Sequence, residues 1–143
     1  MAETFHFELV SPEKLLVSDT LAEAVIPGQG GDFAAMANRA LLIAQLRPGI
    51  LTTKSDSGTE RQFYLRGGFA DVGPSETVVI AEYAVPLEDF TTEMLADEIA
   101  LAEQAVEEAN DEHRRWFAQD RLERLNTLRV RLAGEARSSP LSH

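Results

Sequence analysis

The residues best able to carry out chemistry are few and scattered along the chain. Ser11, Ser18 and Ser55 lie in predicted turns and lack the Gly-x-Ser-x-Gly context that exposes a nucleophile. Cysteine is absent, which excludes disulfides, thiolate zinc sites and cysteine nucleophiles. The histidines show no metal-binding spacing and are expected at the surface: His6, His113 and His143. We therefore expect no catalytic residue, no metal site and no cofactor.

A glycine-rich segment from Gly28 to Asp32 has the composition of a phosphate-binding loop. It lacks the Gly-Lys-Ser/Thr ending of such loops, and the carboxylate of Asp32 would repel a phosphate. A tight turn is the better interpretation. Gly67-Gly68 similarly indicates a close approach of two backbones or a bulge in a strand.

The elements that hold these residues differ between the two halves of the chain. In the first half, Phe5, Phe7 and Leu9 alternate with polar residues, which is typical of a strand with one buried face. Short apolar runs then recur near every tenth residue, separated by Gly and Pro turns, at 15–17, 21–26, 41–46, 50–53, 62–65 and 77–81. This spacing favours a β-sandwich or barrel, which we place at residues 1–86.

After Pro86 the composition changes to Ala, Glu, Leu and Arg, and two apolar stripes appear at helical spacing. The stripes are Leu95, Ile99, Ala102, Val106, Ala109 and then Ala118, Leu122, Leu125, Leu128, Leu132. One straight helix would put them on opposite faces, so we predict a break near Asn110 and an antiparallel hairpin over residues 87–137. Asp89 and Asp111 are the expected N-caps, and Gly134 is the expected end of the second helix. We expect residues 138–143 to fray.

Charge is distributed unevenly over this hairpin. Residues 88–112 hold ten acidic side chains and no Lys or Arg, whereas residues 114–137 hold seven arginines. Two readings stay open, namely helices that neutralise each other and a hairpin that docks on a charged partner. The net charge of −11 argues against nucleic acid as a partner. The chain shows no signal peptide and no apolar run of about 18 residues, so we expect a cytoplasmic protein that does not insert into the membrane.

Several short motifs in the first half are similar to those of one family, the epsilon subunits of bacterial F-type ATP synthases. They occur in that family's order and spacing over residues 1–85. The motifs are Ser11-Pro12-Glu13-Lys14-Leu15-Leu16-Val17-Ser18, Val25-Ile26-Pro27-Gly28, Gly31-Asp32-Phe33, Leu46-Arg47-Pro48-Gly49, Gly67-Gly68-Phe69-Ala70-Asp71-Val72 and Val79-Ile80-Ala81-Glu82.

The resemblance implies a sandwich of about ten strands followed by a helical hairpin. It also implies a non-catalytic subunit of the central stalk, or rotor, of the proton-translocating ATP synthase, which couples rotation of the c ring to ATP synthesis. Its partners would be the gamma subunit and the ring of c subunits, and it would lie peripherally on the cytoplasmic face of the inner membrane. The rival interpretation is a free-standing acidic adaptor that binds a protein through its hairpin.

Two departures from the family pattern concern the contact with the ring. Asn38-Arg39-Ala40-Leu41 replaces the family's Gly-His-Ala-Pro, and Gly30 stands where many members carry a glutamate. The resemblance implies that these positions face the c ring, so the predicted ring-facing residues are Gly30, Gly31, Asp32, Asn38 and Arg39.

The hairpin carries the third departure. Members that sense ATP have an Asp-x-x-Arg-Ala motif at its start, whereas Asp89 is followed by Phe90-Thr91-Thr92-Glu93, so we predict no nucleotide binding. In some members the hairpin extends along gamma to the catalytic beta subunits and brakes ATP hydrolysis. The arginines that such contacts would use are Arg114, Arg115, Arg121, Arg124, Arg129 and Arg131.

Overall fold

The computed structural model describes residues 3–138, with side chains through residue 132, and divides into two compact units. The first unit is Met1–Asp89 and the second is Phe90–His143, so the division falls three residues beyond the predicted boundary at 86. His143 and most of the tail predicted to fray lie outside the described residues.

Eight strands form the first unit, and together they make a β-sandwich. They pair in the order β2-β1-β8-β7-β6-β3-β4, and β5 pairs with the free side of β7. All pairs are antiparallel except the parallel pair of β1 and β8. The strands are β1 (Phe5–Val10), β2 (Leu15–Leu21), β3 (Glu23–Gly28), β4 (Gly31–Ala35), β5 (Leu42–Gln45), β6 (Gly49–Lys54), β7 (Glu60–Val72) and β8 (Glu76–Pro86).

The prediction of about ten strands agrees with this count once the two long strands are divided. β7 has 13 residues and β8 has 11, and both contribute to two layers. The first layer contains β2, β1, the first half of β8, the second half of β7 and β5. The second layer contains β4, β3, β6 and the remaining halves of β7 and β8. Each layer therefore has five strand segments.

Two glycines mark the place where β7 passes between the layers. Gly67 has φ +75° and Gly68 has φ +101°. A Cβ on Gly68 would lie 1.9 Å from the carbonyl oxygen of Ile80, so only glycine lets the two backbones come this close. The pairing register of β7 with β8 is the same before and after this point, which means that the strand bends without a bulge.

Alternation along the strands fills the space between the layers with apolar side chains. Phe7, Leu9, Ile26, Leu51 and Phe63 are all fully buried. Phe5 and Phe7 meet edge to face with ring centroids 6.5 Å apart. The period-2 pattern of β1 thus predicted its buried face.

The second unit is a pair of helices, α1 (Thr92–Glu108) and α2 (Glu112–Ser138). Thr91 is the N-cap of α1, since its hydroxyl accepts a hydrogen bond from the amide of Met94. The predicted cap Asp89 instead ends a short 3-10 turn. Asp111 caps α2 as predicted, and its Oδ1 accepts a bond of 2.8 Å from the amide of Arg114.

The predicted break between the stripes is present at residues 109–111, and α1 and α2 pack on each other. Both stripes contain buried side chains, namely Leu95, Ile99, Ala102, Ala109, Ala118, Leu125 and Leu128. The predicted end at Gly134 is wrong, because the helical backbone continues to Ser138. Glycine lowers helix propensity by only about 1 kcal/mol, so a single glycine does not have to end a long helix.

Candidate functional site

The outer face of the first sandwich layer carries a row of apolar side chains that crosses four strands. Phe69 of β7 pairs with Ile80 of β8, Ile80 pairs with Val10 of β1, and Val10 pairs with Leu15 of β2. Paired residues point to the same face of a sheet, and at the bulge between Leu9 and Val10 the exposure of Leu15 places it on this face as well. These four side chains therefore form one continuous strip, about 15 Å long at the usual strand spacing. We call it the apolar row.

The apolar row is open to solvent. Phe69 is 39% exposed, Ile80 41% and Leu15 54%, although a β-sandwich normally presents polar side chains on this face. Ile43, at 71% exposure, lies on the same face of β5, two residues before the Gln45 that pairs with Phe69. Contiguous exposed apolar surface of this kind is characteristic of a docking surface.

Acidic side chains surround the apolar row. Glu8 and Asp71 both pair with Val78, and these three residues form the row next to the apolar row. Glu76 and Glu82 are exposed at other positions of β8. Glu8 also accepts from His6, with Nε2 3.1 Å from Oε2. The matching partner surface would have an aliphatic centre and a rim of Lys and Arg.

A second exposed feature is the turn between β3 and β4, which we call the β3–β4 turn (residues 29–32). Gly31 has φ +132°, and a Cβ at Gly30 or Gly31 would meet nothing within 4 Å. The two glycines therefore leave the backbone of the tip uncovered by side chains of their own. Asp32, at the start of β4, lies 3.5 Å from a terminal nitrogen of Arg47.

The five predicted ring-facing residues lie at the two ends of β4. Gly30, Gly31 and Asp32 lie at the β3–β4 turn, whereas Asn38 and Arg39 lie beyond the other end of β4. The amide of Asn38 donates to the carbonyl of Pro74 in the turn between β7 and β8. Asn38 has φ +64° and its side chain donates to Glu3, so it shapes a turn of its own.

Most of the predicted hairpin arginines have partners inside the hairpin. The guanidinium of Arg121 lies 3.8 Å from the carboxylate of Glu98 on α1. The guanidinium of Arg115 donates a hydrogen bond of 3.3 Å to the carbonyl oxygen of Ala109, the C-cap residue of α1. The remaining pairs of this kind are Arg114 with Asp111 at 3.6 Å and Arg124 with Asp120 at 3.0 Å. The side chain of Arg131 also has an interaction partner, and Arg129 is exposed. Among these ion pairs, that of Arg121 with Glu98 joins the two helices, whereas the pairs of Arg114 and Arg124 are local to α2 and its cap.

The described residues contain no arrangement suited to catalysis. His6 pairs with Glu8, and the ring of His113 packs edge to face on Phe117 at 4.8 Å between centroids. Within residues 3–132, whose side chains are described, no three side chains of His, Cys, Asp or Glu approach closely enough to hold a metal ion. None of the helices described is both long and apolar enough to span a membrane.

The apolar row was not predicted from the sequence, although β8 carries a signal for it. Val78, Val79 and Ile80 are apolar at consecutive positions, so β8 has apolar side chains on both faces. A strand buried on one face only would alternate. The second missed residue is Glu98, which is 4% exposed although it belongs to the acidic run of α1. Its position next to Ile99 and one turn after Leu95 placed it at the buried side.

Comparison with known proteins gives consistent matches. Residues 4–87 match the family described as ATP synthase, Delta/Epsilon chain, beta-sandwich domain. The chain is 42% identical over 129 residues to the ATP synthase epsilon chain of Parvibaculum lavamentivorans, which covers 90% of this chain and 98% of that one. It is 41% identical over 128 residues to the ATP synthase epsilon chain of Mesorhizobium japonicum, covering 90% and 95% respectively.

Solved structures give the same result. A chain of the Euglena gracilis mitochondrial ATP synthase, determined with OSCP, F1 and the c-ring, matches with a TM-score of 0.69 and 26% identity over 90% of this chain and 81% of that chain. A chain of the Tetrahymena thermophila mitochondrial ATP synthase central stalk and c-ring matches with a TM-score of 0.62 over 89% of this chain and 97% of that chain. The second match is 8% identical and indicates the fold alone.

Proposed function

This chain belongs to the family of ATP synthase delta and epsilon chains, and from that premise we propose how its surfaces couple rotation of the c ring to ATP synthesis. It is a non-catalytic subunit of the central stalk, and its gamma and c-ring partners follow from the assemblies in which its relatives occur. A subunit of this kind contributes shape and stiffness and breaks no bond itself.

The observation that carries the proposal is the apolar row on the outer face of the first layer. We assign this face to the gamma subunit, because a joint that turns with its partner must bury apolar area over a stable contact. Phe69 and Ile80 lie at the centre of the row, where truncation would have the largest effect. The acidic rim of Glu8 and Asp71 would favour a gamma subunit with basic side chains around the contact.

We assign the β3–β4 turn to the c ring. It is the predicted ring-facing segment that the fold leaves as a projecting tip, and its bare glycines allow a close backbone approach. At the position of Gly30, the resemblance implies that many relatives carry a glutamate. In this chain the nearby carboxylate is that of Asp32, two residues later. Asn38 and Arg39 are not included in this contact, since they lie at the other end of β4.

We propose that contact between the hairpin and the catalytic beta subunits, including any brake on ATP hydrolysis, requires the hairpin to open. In the closed hairpin, Arg121 is engaged with Glu98, and Arg115 with the end of α1. Those charges become available to a partner only when the internal pairs separate. The acidic surface of α1 also opposes phosphate binding, so the isolated chain should not bind ATP.

We further propose that the chain lies peripherally on the cytoplasmic face of the inner membrane, held there by gamma and the c ring. Family membership supports this position. Neither proposed contact requires insertion of the chain into lipid.

The experiment is a calorimetric titration of the full chain with purified gamma subunit, which measures the binding affinity. We expect tight binding by the wild type and a loss of at least about 30-fold in affinity for Ile80→Asp, because a central interface residue typically contributes 2 kcal/mol or more. Ser57→Asp, at an exposed position in the turn between β6 and β7 and outside the first layer, is the control and should bind nearly as the wild type. Equal binding by Ile80→Asp and the wild type would contradict this assignment. Absence of any gamma binding would favour the free-standing adaptor.

A further inference from the structure

The root of the β3–β4 turn is bonded to the segment that follows β5. The amide of Gln29 donates to the carbonyl of Gln45 over 2.8 Å, and the amide of Arg47 donates to the carbonyl of Pro27 over 3.0 Å. Between these two bonds, Gly28 and Leu46 form an antiparallel bridge. The strand that enters the turn is therefore fixed by its backbone.

The strand that leaves the turn has a different attachment. β4 pairs with β3, the strand that enters the turn, and it also contacts the segment after β5 through the ion pair of Asp32 with Arg47. The side chain of Arg47 is only 14% exposed, so it is held by its surroundings and extends toward Asp32, whose side chain is 53% exposed. Gly30 and Gly31 have no side chains with which to anchor the tip, so the pair of Asp32 with Arg47 is a side-chain contact that supports it laterally.

The segment after β5 continues directly to the apolar row. The amide of Leu46 donates to the carbonyl of Gly68 over 3.0 Å, and Gln45 is the pairing partner of Phe69. Gly68 in turn lies against the backbone of Ile80, where no Cβ would fit. Three adjacent chain segments thus join the β3–β4 turn to the centre of the proposed gamma surface.

We propose that Arg47 is a positioning residue that braces the β3–β4 turn, and that the segment 45–47 transmits force from the turn to the apolar row. This inference rests on the proposed function for the identity of the two partners. Without the ion pair, the turn would keep its backbone root and lose stiffness at its tip. A ring pressing on that tip would then bend it before it turned the sandwich.

The test begins with hydrogen exchange at the amides of residues 30–32 in the full chain. Asp32→Asn removes one charge at a half-exposed site and should fold normally, whereas Arg47→Met removes the other charge. We expect both to raise exchange at the turn about threefold, the effect of losing one partly exposed ion pair. Asp32→Glu keeps the carboxylate and should restore the wild-type rate. Lys54→Met, a loss of one exposed cation at the end of β6, is the matched control and should change nothing at the turn.

The second readout is the number of protons pumped per ATP hydrolysed in the reassembled synthase. Arg47→Met should assemble with normal yield and pump less per ATP, most clearly against a large opposing gradient, while Lys54→Met should match the wild type. Unchanged exchange at the turn in both Asp32→Asn and Arg47→Met would overturn the brace. Faster exchange with fully coupled pumping would overturn force transmission through it. Failure of the wild-type chain to join gamma and the ring would overturn the proposed function instead, and exchange in the chain alone would still decide the brace.

Discussion

The carboxylate of Glu98 on α1 faces the guanidinium of Arg121 on α2, with 3.8 Å between Oε1 and a terminal nitrogen. The Glu98 side chain is 5% exposed and that of Arg121 is 21% exposed, so this pair lies in the contact between the helices. Nε of Arg121 is buried and finds no hydrogen-bond partner among the described residues. Desolvation offsets the attraction in a pair of this kind, so it contributes little net stability.

Breaking this pair on one side should loosen the hairpin. Glu98→Leu leaves the guanidinium of Arg121 largely buried without its carboxylate, and we expect a loss of about 1–3 kcal/mol in hairpin stability. The double variant Glu98→Leu with Arg121→Met should recover most of it, because both charges are then gone. Hydrogen exchange at the amides of α1 measures the difference. Asp97→Leu is the control, since it removes an exposed acid beside Glu98 and should leave exchange in α1 close to that of the wild type. A double variant as unstable as the single one would contradict this view of the pair.

Thr77 should be a site of easy stabilisation. It is fully buried in the sandwich, and its hydroxyl has no hydrogen-bond partner within the part of the chain that the structure describes. Thr77→Val removes the unsatisfied group at constant shape, and we expect a gain of about 1 kcal/mol in the free energy of unfolding. Thr53→Val is the control, since the equally buried Thr53 hydroxyl donates to the carbonyl of Arg61 over 3.5 Å. Urea unfolding measures the free energy of unfolding of both variants. A loss of stability in Thr77→Val would show that the Thr77 hydroxyl has a hydrogen-bond partner after all.

Gly68 should tolerate no side chain, whereas Gly30 should tolerate one. Gly68→Ala meets the backbone of Ile80 at a positive φ, and we expect a loss of at least about 3 kcal/mol in the free energy of unfolding. Gly30→Ala places its methyl group in open space and should change stability by less than about 0.5 kcal/mol. Thermal unfolding of the pair provides the measurement. Similar midpoints for the two variants would show that the strands are not held as closely as described.

Removal of the second unit should leave coupling intact. A chain ending at Asp89 retains all eight strands, the apolar row and the β3–β4 turn. We expect it to bind gamma and to support ATP synthesis at close to the full rate, because both proposed contacts belong to the sandwich. ATP synthesis and hydrolysis are both measured in membranes. Faster hydrolysis with normal synthesis would assign a brake to the hairpin, and loss of synthesis would contradict the placement of both contacts in the sandwich.

Much of the fold follows from periodicity and turn chemistry. Alternation predicted the buried face of β1, and the phase difference between the stripes around Ala109 and Ala118 required the break that the hairpin contains. The passage of β7 between layers was less accessible. Gly67-Gly68 indicated a close approach, but local pattern does not say that one strand serves two sheets, because that depends on which distant strands pair with each half.

The sites were less predictable than the fold. Asn38 and Arg39 are six and seven residues from Asp32 in sequence, and only the path of β4 shows that they lie at its opposite end. Asp89 had the chemistry of an N-cap, yet the 3-10 turn moved the helix start to Thr92 and made Thr91 the cap. The apolar row needed the register of four strands, since each of its side chains alone is an ordinary exposed residue.

The measurement that tests the central claim most directly is ATP synthesis in membranes depleted of their own copy of this subunit and rebuilt with this chain. The wild type should enter the complex with gamma and the c ring and restore synthesis, and Phe69→Asp combined with Ile80→Asp should fold, stay out of the complex and restore none. Full synthesis in membranes that lack the chain, or restored synthesis by the double variant, would show that the sandwich does not couple the rotor through this face.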